Sequence, residues 1–126
     1  MKILVVDDEG IVLSSCRRIL EADGFEVVMA ASVDEALRVL GAGGDNLPAL
    51  LLIDVKMPVH DGMYLMQKVK AKHPQMPVIV MSGYPTEETV QTAGHFGAAT
   101  FIAKPFTPEE LLDTVRTVAE KGKRHE

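Results

Sequence analysis

Five apolar runs, each of strand length and each followed by a loop and a helical pattern, set the frame for this chain: Lys2 to Val6, Glu26 to Met29, Ala49 to Ile53, Val78 to Met81 and Thr100 to Ala103. Strands that alternate with helices in this way pair in parallel. The connection between parallel neighbours must cross over the sheet, and right-handed crossovers place helices on both of its faces. Five such units fit the 126 residues without a second domain. The expected fold is α/β, a five-stranded parallel sheet covered on each side.

The helix signals agree. A first helix from about Gly10 to Asp23 puts Val12, Cys16, Ile19 and Leu20 on one face and stops at Gly24. Ser32-Val33-Asp34-Glu35 has the capping-box pattern, and Ala36, Leu37 and Leu40 supply an apolar stripe before Gly41. A third helix starts near Gly62, uses Tyr64, Leu65, Met66 and Val69, and ends at His73-Pro74, because a residue before proline is pushed out of helical space. The fourth, Thr86 to His95, has a thin apolar face of Val90, Ala93 and Phe96 and is expected to be the least firmly anchored. In the last, Thr107-Pro108-Glu109-Glu110 opens a stripe of Leu111, Leu112, Val115 and Val118. The domain is set at 1–120, with 121–126 as a basic polar tail or linker.

Composition narrows the function classes. A formal charge of −5 and a pI near 5.3 argue against nucleic-acid binding by this domain, which needs clustered lysine and arginine to neutralise phosphates. A single cysteine, Cys16, makes neither an internal disulfide nor a thiolate zinc site. No signal peptide or membrane-length apolar run is visible, so a cytoplasmic location without membrane contact is expected. The loop Gly41 to Asn46 lacks the lysine and hydroxyl ending of a nucleotide P-loop and reads as a connector. His60, His73, His95 and His125 are too scattered for a metal site, and Met57, Met63, Met66, Met76 and Met81 read as core or loop packing.

In an open parallel sheet, ligands collect beyond the carboxyl ends of the strands. Asp7 and Asp8 end the first strand and Asp54 the third; Ser82 ends the fourth and Lys104 follows the fifth. Three carboxylates at one rim repel one another, and the physical options are a raised pKa or a bound cation that offsets the charge, of which the cation is favoured here. Oxygen ligands without histidine or cysteine select a hard ion such as Mg²⁺, which also bridges carboxylates to phosphoryl oxygens. Lys104 can pair with a carboxylate or a phosphoryl oxygen, and the Ser82 hydroxyl can donate to another.

Asp7-Asp8, Asp54, Ser82 and Lys104-Pro105, in this order and spacing, resemble the receiver domain of two-component response regulators. The likeness spans essentially the whole chain and includes Leu4-Val5-Val6-Asp7-Asp8-Glu9, Asp54-Val55-Lys56-Met57-Pro58, Asp61-Gly62 and Phe101-Ile102-Ala103-Lys104-Pro105-Phe106. It implies a (βα)5 doubly wound sheet of strand order 2-1-3-4-5. It further implies that Asp54 is the phosphoacceptor, taking phosphorus from the phosphohistidine of a sensor histidine kinase or phosphotransfer protein. Asp8, Asp54 and the backbone carbonyl of Val55 would ligate Mg²⁺ directly, and Asp7 partly through water. Lys104 and Ser82 would bind the phosphoryl oxygens, and slow hydrolysis would reset a self-modifying switch that is not a turnover enzyme.

For switching, the resemblance implies that Ser82 moves toward the phosphoryl group while Phe101 turns inward. Order then changes on the face of the fourth helix, fifth strand and fifth helix, where a downstream protein, a fused output domain or a second copy in a homodimer would bind. Lys56 and Tyr84 occupy the positions that tune access of hydrolytic water, and altered phosphoryl lifetime is expected from them. His60 stands where the family often has an apolar residue, and Phe101 lacks the hydroxyl of the tyrosine often found there. Two rivals remain beside this reading. One is a pseudo-receiver that only binds proteins. The other is an aspartyl-phosphate phosphatase, whose usual motif needs an aspartate where this chain has Lys56.

Overall fold

The computed structural model describes residues 1–44, 47–55, 61–83 and 86–124. Their elements alternate throughout: β1 (Lys2–Val6), α1 (Gly10–Ala22), β2 (Glu26–Ala30), α2 (Val33–Ala42), β3 (Leu50–Asp54), α3 (Gly62–Lys72), β4 (Val78–Ser82), α4 (Glu87–His95), β5 (Thr100–Ala103) and α5 (Pro108–Arg124). The five strands form one sheet in the order β2-β1-β3-β4-β5, every neighbouring pair parallel. This is the doubly wound arrangement expected from the sequence.

Strand periodicity divides the core in two. Ile3, Val5, Leu50, Leu52, Ile79 and Met81 face α1 and α5, where they meet Leu13, Cys16, Leu20, Leu111, Val115 and Val118. The alternate positions Leu4, Val6, Leu51, Ile53, Val78 and Val80 face α2, α3 and α4. Because both faces of the central strands are covered, β3 and β4 are buried along their whole length. That explains why they read as unbroken apolar runs without polar alternation.

The helix ends follow the capping chemistry. Ser32 Oγ accepts the Glu35 amide at 3.1 Å, though Glu35 reaches back to the Ala31 amide instead of that of Ser32. At α5 the box is reciprocal, with Thr107 Oγ1 accepting the Glu110 amide at 3.1 Å and Glu110 Oε1 accepting the Thr107 amide at 3.2 Å. Gly24, at φ 94°, closes α1, and the Phe25 amide returns to the Leu20 carbonyl.

Several details differ from the sequence expectation. Helix α2 continues through Gly41 to Ala42, since glycine there stays helical and Gly43 takes the positive φ. Leu13 and Val33 are buried, whereas Val12, Ile19, Leu37 and Leu112 are only partly so, a rotation of the apolar stripe by about one residue. Val90 is 41% exposed, which leaves Ala93 as the one buried side chain of α4. Helix α5 runs on to Arg124, through the start of the segment set apart as a tail. Across the other face of the molecule, Arg116 on α5 grips Asp23 at the end of α1 through both carboxylate oxygens.

Candidate functional site

Register brings the polar residues together. Val6 pairs with Ile53, so Asp7 and Asp54 leave adjacent strands side by side; Asp54 pairs with Met81 and Ser82 with Ala103, so Ser82 and Lys104 follow on the next two. Asp7, Asp54 and Ser82 are 0%, 5% and 1% exposed. Carboxylate oxygens of Asp7, Asp8, Glu9 and Asp54 all lie within 4.8 Å of one another.

Lys104 holds the cluster. Its Nζ donates to Asp7 Oδ2 at 2.6 Å and to Asp54 Oδ2 at 3.1 Å, and stands 3.7 Å from Glu9 Oε1. The backbone fixes the lysine in turn, because the Lys104 amide donates to the Ser82 carbonyl at 2.8 Å. Burial pulls the ammonium down, but the hydrogen bond to Asp7 and the charges of Asp54 and Asp7 together outweigh it and hold Lys104 above its ordinary range. At Asp7 the balance goes the other way. Burial raises its carboxyl, and hydrogen bonds from Lys104 and the Glu9 amide only partly offset that.

A raised folded pKa makes ionisation of Asp7 oppose folding. The stability present below the ordinary carboxylate range, about pH 4, is lost as pH rises through the higher folded value. In chelator, the urea midpoint of the wild type should therefore decline over that window more than that of Asp7→Asn. Identical slopes in the two proteins would contradict the assignment.

Among the described residues the donor set fits a hard divalent cation: it is all oxygen and close together, with four clustered carboxylates and one ammonium, that of Lys104. The Val55 carbonyl accepts the Gly62 amide at 3.1 Å. Phe101 is half-buried and packs against the α2, α3 and α4 side of the core. Lys56, His60, Met57 and Tyr84 lie outside the described residues.

Two members of the site went unassigned in the sequence. Glu9 follows the aspartate pair and occupies the N-cap of α1, but its side chain does not cap the helix and instead approaches Lys104. Gly62 allows α3 to begin against the end of β3. A Cβ there would sit 2.2 Å from the Asp54 carbonyl oxygen. The Asp61-Gly62 pair was the signal for it, since Asp61 Oδ1 caps α3 by accepting the Tyr64 amide at 3.0 Å. Cys16, by contrast, is inert packing; burial, with the nearby Asp7 charge, pushes its thiol up to about 12.

Comparison with known proteins agrees with this geometry. The family described as response regulator receiver domain matches residues 3–116. The transcriptional regulatory protein PrrA of Mycobacterium tuberculosis is 34% identical over 117 residues, covering 93% of this chain and 49% of PrrA. Sporulation initiation phosphotransferase F of Bacillus subtilis is 30% identical over 115 residues, covering 91% of this chain and 90% of that protein. A CheY-like receiver domain protein from Methanospirillum hungatei superposes with a TM-score of 0.91 at 31% identity, over 99% of this chain and 98% of the other. The chain spans about half the length of PrrA and a quarter of the C4-dicarboxylate transport regulator DctD of Rhizobium meliloti. Among the described residues no helix is long and apolar enough to cross a membrane. With its fold, its acidic rim and its lysine all in place, the chain belongs to the response regulator receiver domain family.

Proposed function

We propose that this receiver domain is a phosphoacceptor switch that takes a phosphoryl group on Asp54. The observation that carries the reading is the Lys104 ammonium shared between Asp7 and Asp54 inside a pocket of four carboxylates. An Asp54 oxygen attacks phosphorus, the bond from phosphorus to the donor's imidazole nitrogen breaks, and its electron pair stays with the imidazole. Asp8, Asp54 and the Val55 carbonyl would hold Mg²⁺ directly and Asp7 partly through water, and the ion would supply positive charge against that of the transferring group. Lys104 then exchanges a carboxylate oxygen for a phosphoryl oxygen, and Ser82 supplies a hydroxyl donor.

The phosphodonor has room to approach. Glu9 and Lys104 share a groove with Ile11, Val12, Pro105 and Phe106, and Ile11 is 83% exposed, which suits contact with a kinase or phosphotransfer protein. Phosphorylation replaces the single negative charge of the Asp54 carboxylate with the nearly two of an acyl phosphate and adds three acceptor oxygens, enough to shift an equilibrium of a few kcal/mol in the weakly packed α4 and in Phe101. The altered α4-β5-α5 surface would then bind a downstream protein, an output domain or a second copy. Lys56 and Tyr84 remain the positions proposed to set phosphoryl lifetime.

Incubation with Mg²⁺ and acetyl phosphate, read by intact mass, should add one phosphoryl group to the wild type and none to Asp54→Asn. Labelling that persists in Asp54→Asn, or none in the wild type with any donor, transfers the weight to the protein-binding pseudo-receiver.

A further inference from the structure

Helix α4 is held unevenly. Its N-terminal half has no buried side chain: Thr86, Glu87, Glu88 and Val90 are exposed and Thr89 is half-buried. The far end is anchored. Ala93 is buried, Phe96 packs on the core, and the chain leaves through Gly97 at φ 95° while the Ala98 amide returns to the Ala93 carbonyl. Against that exit lies the side chain of Lys70 from α3. A Cβ on Gly97 would sit 3.3 Å from Lys70 Cε and 3.7 Å from Cδ, so the stem lies beside the side of Gly97 that carries no side chain. Beyond it the ammonium donates to the Met76 carbonyl at 2.8 Å, in the loop that feeds β4.

We propose that Lys70 is a positioning residue for α4: its stem lies beside Gly97, its ammonium is tied to Met76, and α4 therefore pivots about its C-terminal end. Both fixed points of the lysine belong to rigid structure. Leu65, Met66 and Val69 bury α3, and Met76 is itself buried just before β4. Burial holds the Lys70 ammonium below its ordinary range, so this lysine has given up water that a surface lysine would keep. The hydrogen bond to Met76 is what compensates. Motion is left to the N-terminal end of α4, the end nearest Ser82, so any event at Ser82 acts on the loose end of a tethered lever.

This placement does not depend on phosphoryl transfer. It is tested on the unphosphorylated chain and can fail while the Asp54 reading stands. Amide hydrogen exchange followed by NMR should be graded along α4, faster at Val90, which donates to the Thr86 carbonyl, than at Phe96, Gly97 and Ala98. Lys70→Ala should accelerate those last three amides by about tenfold or more, as expected for loss of one hydrogen bond to a charged group, and erase the gradient. Amides of β1 and β3 should keep their rates, and Lys70→Arg should restore the gradient by reaching the same carbonyl. Should Lys70→Ala fail to fold, Lys70→Met keeps the stem and should shift the same amides in the same direction. A gradient that survives these variants, or acceleration by one common factor across α4, β1 and β3, overturns the pivot.

Discussion

Lys104→Met should destabilise the metal-free chain at neutral pH by about 2 to 3 kcal/mol and at the same time tighten Mg²⁺ binding by about tenfold. Both effects have one origin. The Lys104 side chain is 14% exposed and is the cation that Asp7 and Asp54 share, so its loss leaves buried carboxylates facing one another. The destabilisation falls short of that for a fully enclosed pair because Asp8 and Glu9 are open to water. A divalent ion entering the same cluster no longer meets a competing ammonium, hence the gain in affinity. Phosphorylation of Asp54 should nevertheless fall roughly a hundredfold at saturating Mg²⁺, since a donor to the transferring group is gone. Urea denaturation with chelator and with Mg²⁺, alongside titration calorimetry, separates these outcomes. A variant as stable as the wild type and unchanged in metal affinity would remove Lys104 from the centre of the site.

The fold was legible because local signals and tertiary pattern coincide. β1 and β5 have the bounds of their apolar runs, β2 and β4 run one residue further, and β3 is shifted by one residue at both ends. Helix faces were less legible. At α1 the sequence places Val12 and Ile19 inward, while the structure favours Leu13. A wide apolar stripe leaves about one residue of rotational freedom, and only contact with the sheet fixes it. Val90 shows the same limit, since periodicity assigns it a face but cannot say that α4 lies too far out to cover it.

The site was legible where side-chain chemistry announces itself, as with Asp7, Asp8, Asp54, Ser82 and Lys104. What escaped depends on backbone proximity. Glu9 looks like an N-cap and becomes part of the acidic cluster only because its side chain turns toward Lys104. Lys70 looks like a favourable cation in the last turn of α3, and its reach to Met76 and Gly97 crosses between elements whose separation no local pattern encodes.

Gly62→Ala should be the most damaging small substitution in the molecule. Replacing glycine by alanine in the first turn of a helix ordinarily stabilises by up to about 1 kcal/mol, because the unfolded chain has less freedom to lose. At Gly62 the added methyl would lie 2.2 Å from the Asp54 carbonyl oxygen, 2.9 Å from Val55 Cα and 3.0 Å from the Asp54 carbonyl carbon. All three are backbone atoms at the end of a buried strand and cannot swing aside, so α3 and β3 must separate. The net loss should be roughly 3 kcal/mol. Displacing the strand end also moves the Asp54 carboxylate away from Lys104, and labelling by acetyl phosphate should drop at least about tenfold under conditions where the variant remains folded. Gly94→Ala is the matched control. It lies within α4, where an added methyl would meet nothing inside 4 Å, so it should be neutral or stabilise. Urea midpoints that place Gly62→Ala beside Gly94→Ala would show that β3 and α3 do not meet as closely as Asp54 requires.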